Sequence, residues 1–286
     1  MRALPLFSLF ALFVMMFGCA GPEEAPSAAL PDETPEAPEG PAPEEPVTAP
    51  EAGPAEPPAE TDEPEPPPAA PAGPLESEEI TYSSFGWEIH GTVYPNDDPT
   101  KAVILVPMLG HTRDSYPQSF IDRLHDDPEM IVLAIDARGH GESTNLGTYE
   151  DFTKEDFRDM SSDIVRAKSY FDDNYPTVKE YYVVGASIGS TAAIYAGRQD
   201  NDITKIAMIS PGMEYRDVNI ESAAEDYVHK LFLAASSGDS YSTSAISEIK
   251  SISSSQVTSK IYSGSAHGTD MFDETSLETD LVEFLK

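Results

Sequence analysis

The sequence predicts an α/β domain built on a doubly wound, mostly parallel sheet, and three observations predict it. Short apolar runs that are continuous rather than alternating recur along the last two thirds of the chain, as strands buried on both faces require. Segments with apolar residues three and four apart lie between them, so strand and helix alternate and the strands run parallel. Ahead of the first such run stand two alternating segments joined at a glycine, the pattern of an antiparallel pair.

In order along the chain, the first stretch contributes nothing to a core. Arg2 precedes an apolar run from about Leu4 to Phe17 that ends in Gly18-Cys19-Ala20, the short hydrophobic region and small-residue exit of an export signal. The run is too short for a comfortable transmembrane span. Its end resembles the lipobox of bacterial lipoproteins, which implies acylation of Cys19 and a lipid anchor in the membrane of a bacterial cell envelope. Met16 and Phe17 depart from the residues commonest there, and cleavage after Ala20 with release as a soluble exported protein is the alternative. Cys19 is the only cysteine, so no intrachain disulfide can form.

Between Gly21 and Pro74 lie 18 of the 26 prolines and 14 acidic residues, with no Lys, Arg or aromatic side chain. Nothing there can bury enough apolar surface to offset chain entropy. Residues 1–20 therefore read as a signal peptide, 21–76 as a disordered Pro/Glu-rich linker and 77–286 as one globular domain. The formal charge of −34 divides into −14 for the linker, +1 for Arg2 and −21 for residues 75–286. A surface of that sign repels phosphate backbones, which argues against nucleic-acid partners and polybasic membrane attachment.

Ile80 to Phe85 and Glu88 to Tyr94 alternate and meet at Gly86, the antiparallel opening pair. Val103–Val106, Ile131–Ile135, Tyr181–Val184, Ile206–Ile209 and Leu231–Ala234 are the buried parallel strands, and Lys260–Tyr262 is one more. Lys154 to Phe171 reads as one helix, because Phe157, Met160, Ile164, Ala167 and Phe171 recur at helical spacing behind an acidic start. Thr191–Gly197, Ile220–Tyr227 and Ser276–Leu285 are further helices. Only about twenty residues separate Gly212 from the strand at Leu231, too few for a large cap domain.

Tyr181 to Gly185 runs straight into Gly185-Ala186-Ser187-Ile188-Gly189 and then a small-residue helix. A Gly-x-Ser-x-Gly motif between strand and helix is a nucleophile elbow, and it nominates Ser187 as a catalytic nucleophile. A serine hydroxyl needs a base that is oriented by a carboxylate. Asp239 follows the strand at Leu231 and His267 follows the strand at Lys260, in the order Ser, acid, His, each in a loop at the carboxyl edge of the sheet. Asp239 could instead be an ordinary turn or helix-cap aspartate. Met108, Leu109, Met213 and Tyr215 sit near strand ends as candidate apolar walls of a substrate site, and His111 is a candidate substrate contact.

With these residues in place the chain resembles the α/β-hydrolase superfamily, in particular small bacterial esterases. Asp136-Ala137-Arg138-Gly139-His140-Gly141-Glu142-Ser143 matches that superfamily's turn after its fourth strand, and the likeness spans roughly Ile80 to Lys286. The resemblance implies an oxyanion hole made by the Ile188 amide and by Leu109, with Met108 as the alternative donor. Pro107-Met108 stands where the family has His-Gly, and Pro107 has no N–H to give. A small ester is the substrate class implied, with thioesters and small amides open. No cofactor is implied and no residue cluster has metal-ligand spacing. The rival class is a non-enzymatic lipoprotein that keeps the fold as a binding or scaffold module.

Overall fold

The computed structural model describes residues 75–286; the expected signal peptide, the expected lipidation at Cys19 and the expected linker up to Pro74 lie outside the described residues. The chain opens with β1 (Glu78–Ser84) and β2 (Trp87–Tyr94), an antiparallel hairpin. Its two-residue turn places Phe85 at φ +50° and Gly86 at φ +90°, the double left-handed step whose twist suits a tight hairpin. There follow β3 (Lys101–Val106), α1 (Gln118–His125), β4 (Met130–Ile135), α2 (Lys154–Asp159), α3 (Ser161–Asn174), β5 (Glu180–Ala186), α4 (Ile188–Gln199) and β6 (Ile203–Ile209). A small hairpin, β7 (Glu214–Tyr215) and β8 (Val218–Asn219), leads to α5 (Glu221–Asp226), β9 (Lys230–Ser236), α6 (Ser240–Ile252), β10 (Gln256–Tyr262), α7 (Met271–Glu274) and α8 (Leu277–Leu285).

Eight strands form one sheet in the order β1-β2-β4-β3-β5-β6-β9-β10. β1 and β2 are antiparallel, and every pairing from β4 through β10 is parallel. The fold is therefore a doubly wound, mostly parallel α/β sheet of the α/β-hydrolase type, with no large cap domain among the described residues. Alternate residues of each central strand feed opposite layers, as a period of two demands. Ala102, Ile104 and Val106 pack with α3 and α4 on one face, while Val103 and Leu105 pack with α1 and α8 on the other.

Three expectations are corrected. The single helix over Lys154–Phe171 is two, α2 and α3, meeting at Met160. The Ser161 hydroxyl donates to Arg158 O at 3.0 Å, a local bond that competes with the helical ladder, and the bend lets Asp163 face inward to Arg138. The helices α1 and α6 are absent from the sequence expectations. α6 carries six Ser and Thr that dilute its apolar stripe of Ala245, Ile246 and Ile249. The hairpin β7–β8 was also not foreseen, because two-residue strands have no readable period.

Candidate active site

Six parallel strands deliver loops to the carboxyl edge of the sheet, and the site is assembled from those after β3, β5, β6, β9 and β10. β5 ends in the elbow, where Ser187 adopts φ +51° and ψ −115°, a conformation that costs free energy and occurs where function demands it. The flanking glycines are obligatory for a stated reason. A Cβ on Gly185 would lie 2.2 Å from Gly189 O, and one on Gly189 would lie 2.5 Å from Val106 O. The Ser187 N–H donates to Ile209 O at 2.8 Å, which ties the strained turn to the neighbouring strand.

Ser187, His267 and Asp239 are brought into one line. Ser187 Oγ lies 2.9 Å from His267 Nε2, and His267 Nδ1 lies 2.6 Å from Asp239 Oδ2. A carboxylate only accepts, so Nδ1 carries the proton and Nε2 offers its lone pair to the serine. Asp239 is also a helix cap: its Oδ1 accepts the Ser242 N–H at 3.1 Å at the start of α6. The cap and the histidine contact are thus not alternatives, since each takes a separate oxygen. Burial pushes the Asp239 carboxyl up, but hydrogen bonds from Ser242 and His267 outweigh it and hold the group below its ordinary value. It is ionised at neutral pH.

Ile188 is the first residue of α4, so its N–H has no acceptor within the helix and points out of the N-terminus. The loop after β3 runs alongside, since a Cβ on Gly189 would also be 2.6 Å from Pro107 O. The amides of Met108 and Leu109 both lack a hydrogen-bond partner among the described residues. Leu109 is half-buried, whereas the Met108 side chain is buried in the core with Ala266 and Met271. The Met108 sulfur also lies against Gly268, next to His267. His111 closes a turn through its N–H to Met108 O at 3.1 Å, and its side chain makes no hydrogen bond to Ser187, His267 or Asp239.

Tyr215 stands on β7 with its ring edge-on to His267, centroids 6.4 Å apart. Its phenol donates to Ser210 O at 3.0 Å, and burial pushes its pKa up. Tyr241, a residue the sequence did not single out, packs on Tyr215 at 5.5 Å and bonds to Glu214 through its hydroxyl. Met213 is half-buried and packs toward the core, its carbonyl accepting the Ile220 N–H at 2.9 Å. Among the candidate walls and contacts, Tyr215 has its ring edge-on to His267.

The turn after β4 is a brace. Buried Asp136 accepts the Arg113 N–H at 2.8 Å, the Arg113 guanidinium at 2.6 Å and the Glu142 N–H at 3.0 Å. Arg138 is buried against Asp163 at 2.7 Å. His140 stacks on Tyr149 at 4.6 Å, and its Nδ1–H donates to Arg138 O at 2.9 Å. These contacts hold the segment after β3 and the segment after β4 against one another. Among the described residues, no group of three or more His, Cys, Asp or Glu is arranged to hold a metal ion.

An elbow at the end of a central parallel strand, served by loops from two later strands, defines a hydrolase of the α/β-hydrolase fold. The family model of the serine aminopeptidase S33 group (Hydrolase_4) matches residues 97–256, 160 of the 286 residues, and the chain belongs to that family. Among solved structures it is similar to an esterase from Pyrococcus furiosus, with a TM-score of 0.60 and 20% identity over 74% of this chain and 92% of that one. It is similar also to a dienelactone hydrolase from Anabaena variabilis, with a TM-score of 0.61 and 15% identity over 74% and 97%. A carboxyl esterase from Bacillus coagulans matches with a TM-score of 0.55 and 14% identity over 73% and 98%. At such identities the likeness is one of fold. No curated protein matches the sequence significantly.

Proposed function

We propose that the chain is a serine hydrolase working through an acyl-enzyme, with small carboxylic esters as its substrates. The observation that carries this is the unbroken contact from Asp239 through His267 to Ser187. As Ser187 Oγ attacks the ester carbonyl, its proton passes to His267 Nε2, and Asp239 stabilises the imidazolium. The carbonyl oxygen takes up the negative charge against the amides of Ile188 and Leu109, with Met108 as the alternative donor. The imidazolium returns the proton to the departing alkoxide. Water then attacks the acyl-enzyme by the same route, giving the acid and free Ser187.

Esters are favoured because an alkoxide leaves with less help than an amine, and the site is open: the His267 side chain is 40% exposed. Concavities of 490 Å³ between α6 and β10, 260 Å³ beside Phe232 and Phe284, and 190 Å³ beside Arg113 and Tyr116 are lined by neither Ser187 nor His267. Cleavage before Cys19 and acylation there hold the enzyme at the bacterial cell envelope, with the Pro/Glu-rich segment as a spacer; the sequence pattern alone supports this part. Labelling of the full chain with a fluorophosphonate probe tests the chemistry. Modification at Ser187, lost in Ser187→Ala, is expected, and an unlabelled folded protein would instead make the chain a binding or scaffold module.

A further inference from the structure

Several unusual features meet at Ser210, which follows β6. It is fully buried and has φ +49°, a left-handed conformation that a residue with a side chain adopts only where its surroundings over-determine it. Its N–H donates to Ala234 O at 2.7 Å and its carbonyl accepts the Tyr215 phenol at 3.0 Å. Its hydroxyl oxygen accepts the Gly268 N–H at 2.9 Å, while its own proton is directed to Met271 Sδ at 3.4 Å. All its polar atoms are committed. The preceding residue, Ile209, accepts the Ser187 N–H, so one short segment contacts the nucleophile's backbone and the histidine loop together.

Gly268, directly after His267, is also left-handed at φ +60°, and a Cβ there would lie 2.5 Å from Met108 Sδ. Gly268, next to His267, is therefore contacted both by the Ser210 hydroxyl and by the Met108 side chain. Ahead of it Ser263, Gly264 and Ser265 are exposed, tied to the neighbouring loop by the Gly238 N–H to Gly264 O at 2.8 Å.

We propose that Ser210 is a positioning residue, which together with the opposing Met108 side chain holds Gly268 and so keeps the His267 imidazole on the line between Asp239 and Ser187. It rests on the roles given above to Ser187 and His267. It also gives a physical account of Met108 where the family has glycine: the Met108 side chain fills the space beside Gly268. The backbone strain at 210 places the hydroxyl where the Gly268 N–H needs it, and a small displacement of a general base is costly to rate.

The full chain with Ser210→Gly separates this role from a packing role, because glycine relieves the left-handed strain while deleting the hydroxyl. The expected variant melts no lower than the wild type, yet its kcat on nitrophenyl acetate falls about tenfold to a hundredfold with KM little changed. The low-field proton resonance of the His267 Nδ1–H shifts or broadens. Met108→Ala, which keeps the backbone amide, shows the same resonance change, and it decides the matter if Ser210→Gly does not fold. Wild-type kcat and an unaltered resonance in a folded Ser210→Gly variant would overturn the proposal. A wild-type chain without esterase turnover overturns the hydrolytic role instead, and the resonance still decides whether Ser210 positions His267.

Discussion

Asp239 meets His267 Nδ1 at 2.6 Å with one carboxylate oxygen and caps α6 through Ser242 with the other. The cap fixes the carboxylate, and the carboxylate in turn fixes the imidazole tautomer. Asp239→Asn should therefore cut kcat for nitrophenyl acetate on the order of ten-thousandfold, while asparagine remains an adequate cap and the fold survives. Steady-state kinetics with far-ultraviolet circular dichroism checks this. Near-wild-type turnover in Asp239→Asn, with collapse in Asp136→Asn or Asp270→Asn, would transfer the role to another acid.

The elbow glycines carry a stability prediction. Since a Cβ on Gly185 would meet backbone oxygen at 2.2 Å and one on Gly189 at 2.5 Å, neither clash can be relieved by rotating a side chain. Gly185→Ala and Gly189→Ala should each lose at least about 1–3 kcal/mol of folding free energy, read from the urea midpoint, and should lose turnover as well.

His140 predicts a pH dependence. Burial pushes its pKa below the ordinary value, and the hydrogen bond to Arg138 O only partly offsets this. Below about pH 6.5 the unfolded chain binds a proton that the folded His140 refuses. Stability should thus fall as pH drops from there toward the folded pKa. Asp239 acts in a lower window: its depressed pKa contributes stability above about pH 3.9 that is lost as pH falls through the folded value. His140→Phe keeps an aromatic partner for Tyr149, so melting temperatures from pH 5 to 8 should vary less in the variant than in the wild type.

An uncapped site predicts short substrates. The segment between β6 and β9 holds only the β7–β8 hairpin and α5, so a long acyl chain finds little surface on which to gain its ~0.8 kcal/mol per methylene. Across nitrophenyl esters from acetate to palmitate, kcat/KM should peak at short chains. A peak at twelve carbons or more would contradict the open site.

If Cys19 carries the proposed lipid anchor, Cys19→Ser should abolish partition of the expressed protein into detergent, because stable anchoring needs more than one acyl chain. A wild-type mature N-terminus at Gly21 without lipid, seen by mass spectrometry, would establish ordinary secretion.

Much of the contact line from Asp239 through His267 to Ser187 was legible because a Ser, acid, His arrangement restricts residue type and order locally. The Ser187 elbow is a run of five residues whose glycines are forced by close backbone approach, and Asp239 and His267 each follow a short strand in a glycine-containing loop. The central strands β3, β4, β5 and β9 were legible because burial on both faces leaves few polar positions. Helix α6 was hidden by its serines, and the break at Met160 by a periodicity that continues across it, since hydrophobic spacing reports which face is buried and not whether the axis bends.

The amino-acid sequence by itself determined the sheet, the elbow and the Ser, acid, His order, because these rest on short-range sterics and on burial patterns written within single segments. Tertiary structure alone decided that Asp239 serves as cap and as histidine partner, that Met108 turns into the core against Gly268, and that Tyr215 reaches His267. It alone brought strained Ser210 to the Gly268 amide, 58 residues away in sequence. Each of these depends on the approach of loops from different strands, and no local pattern encodes which atoms of such loops come within 3 Å.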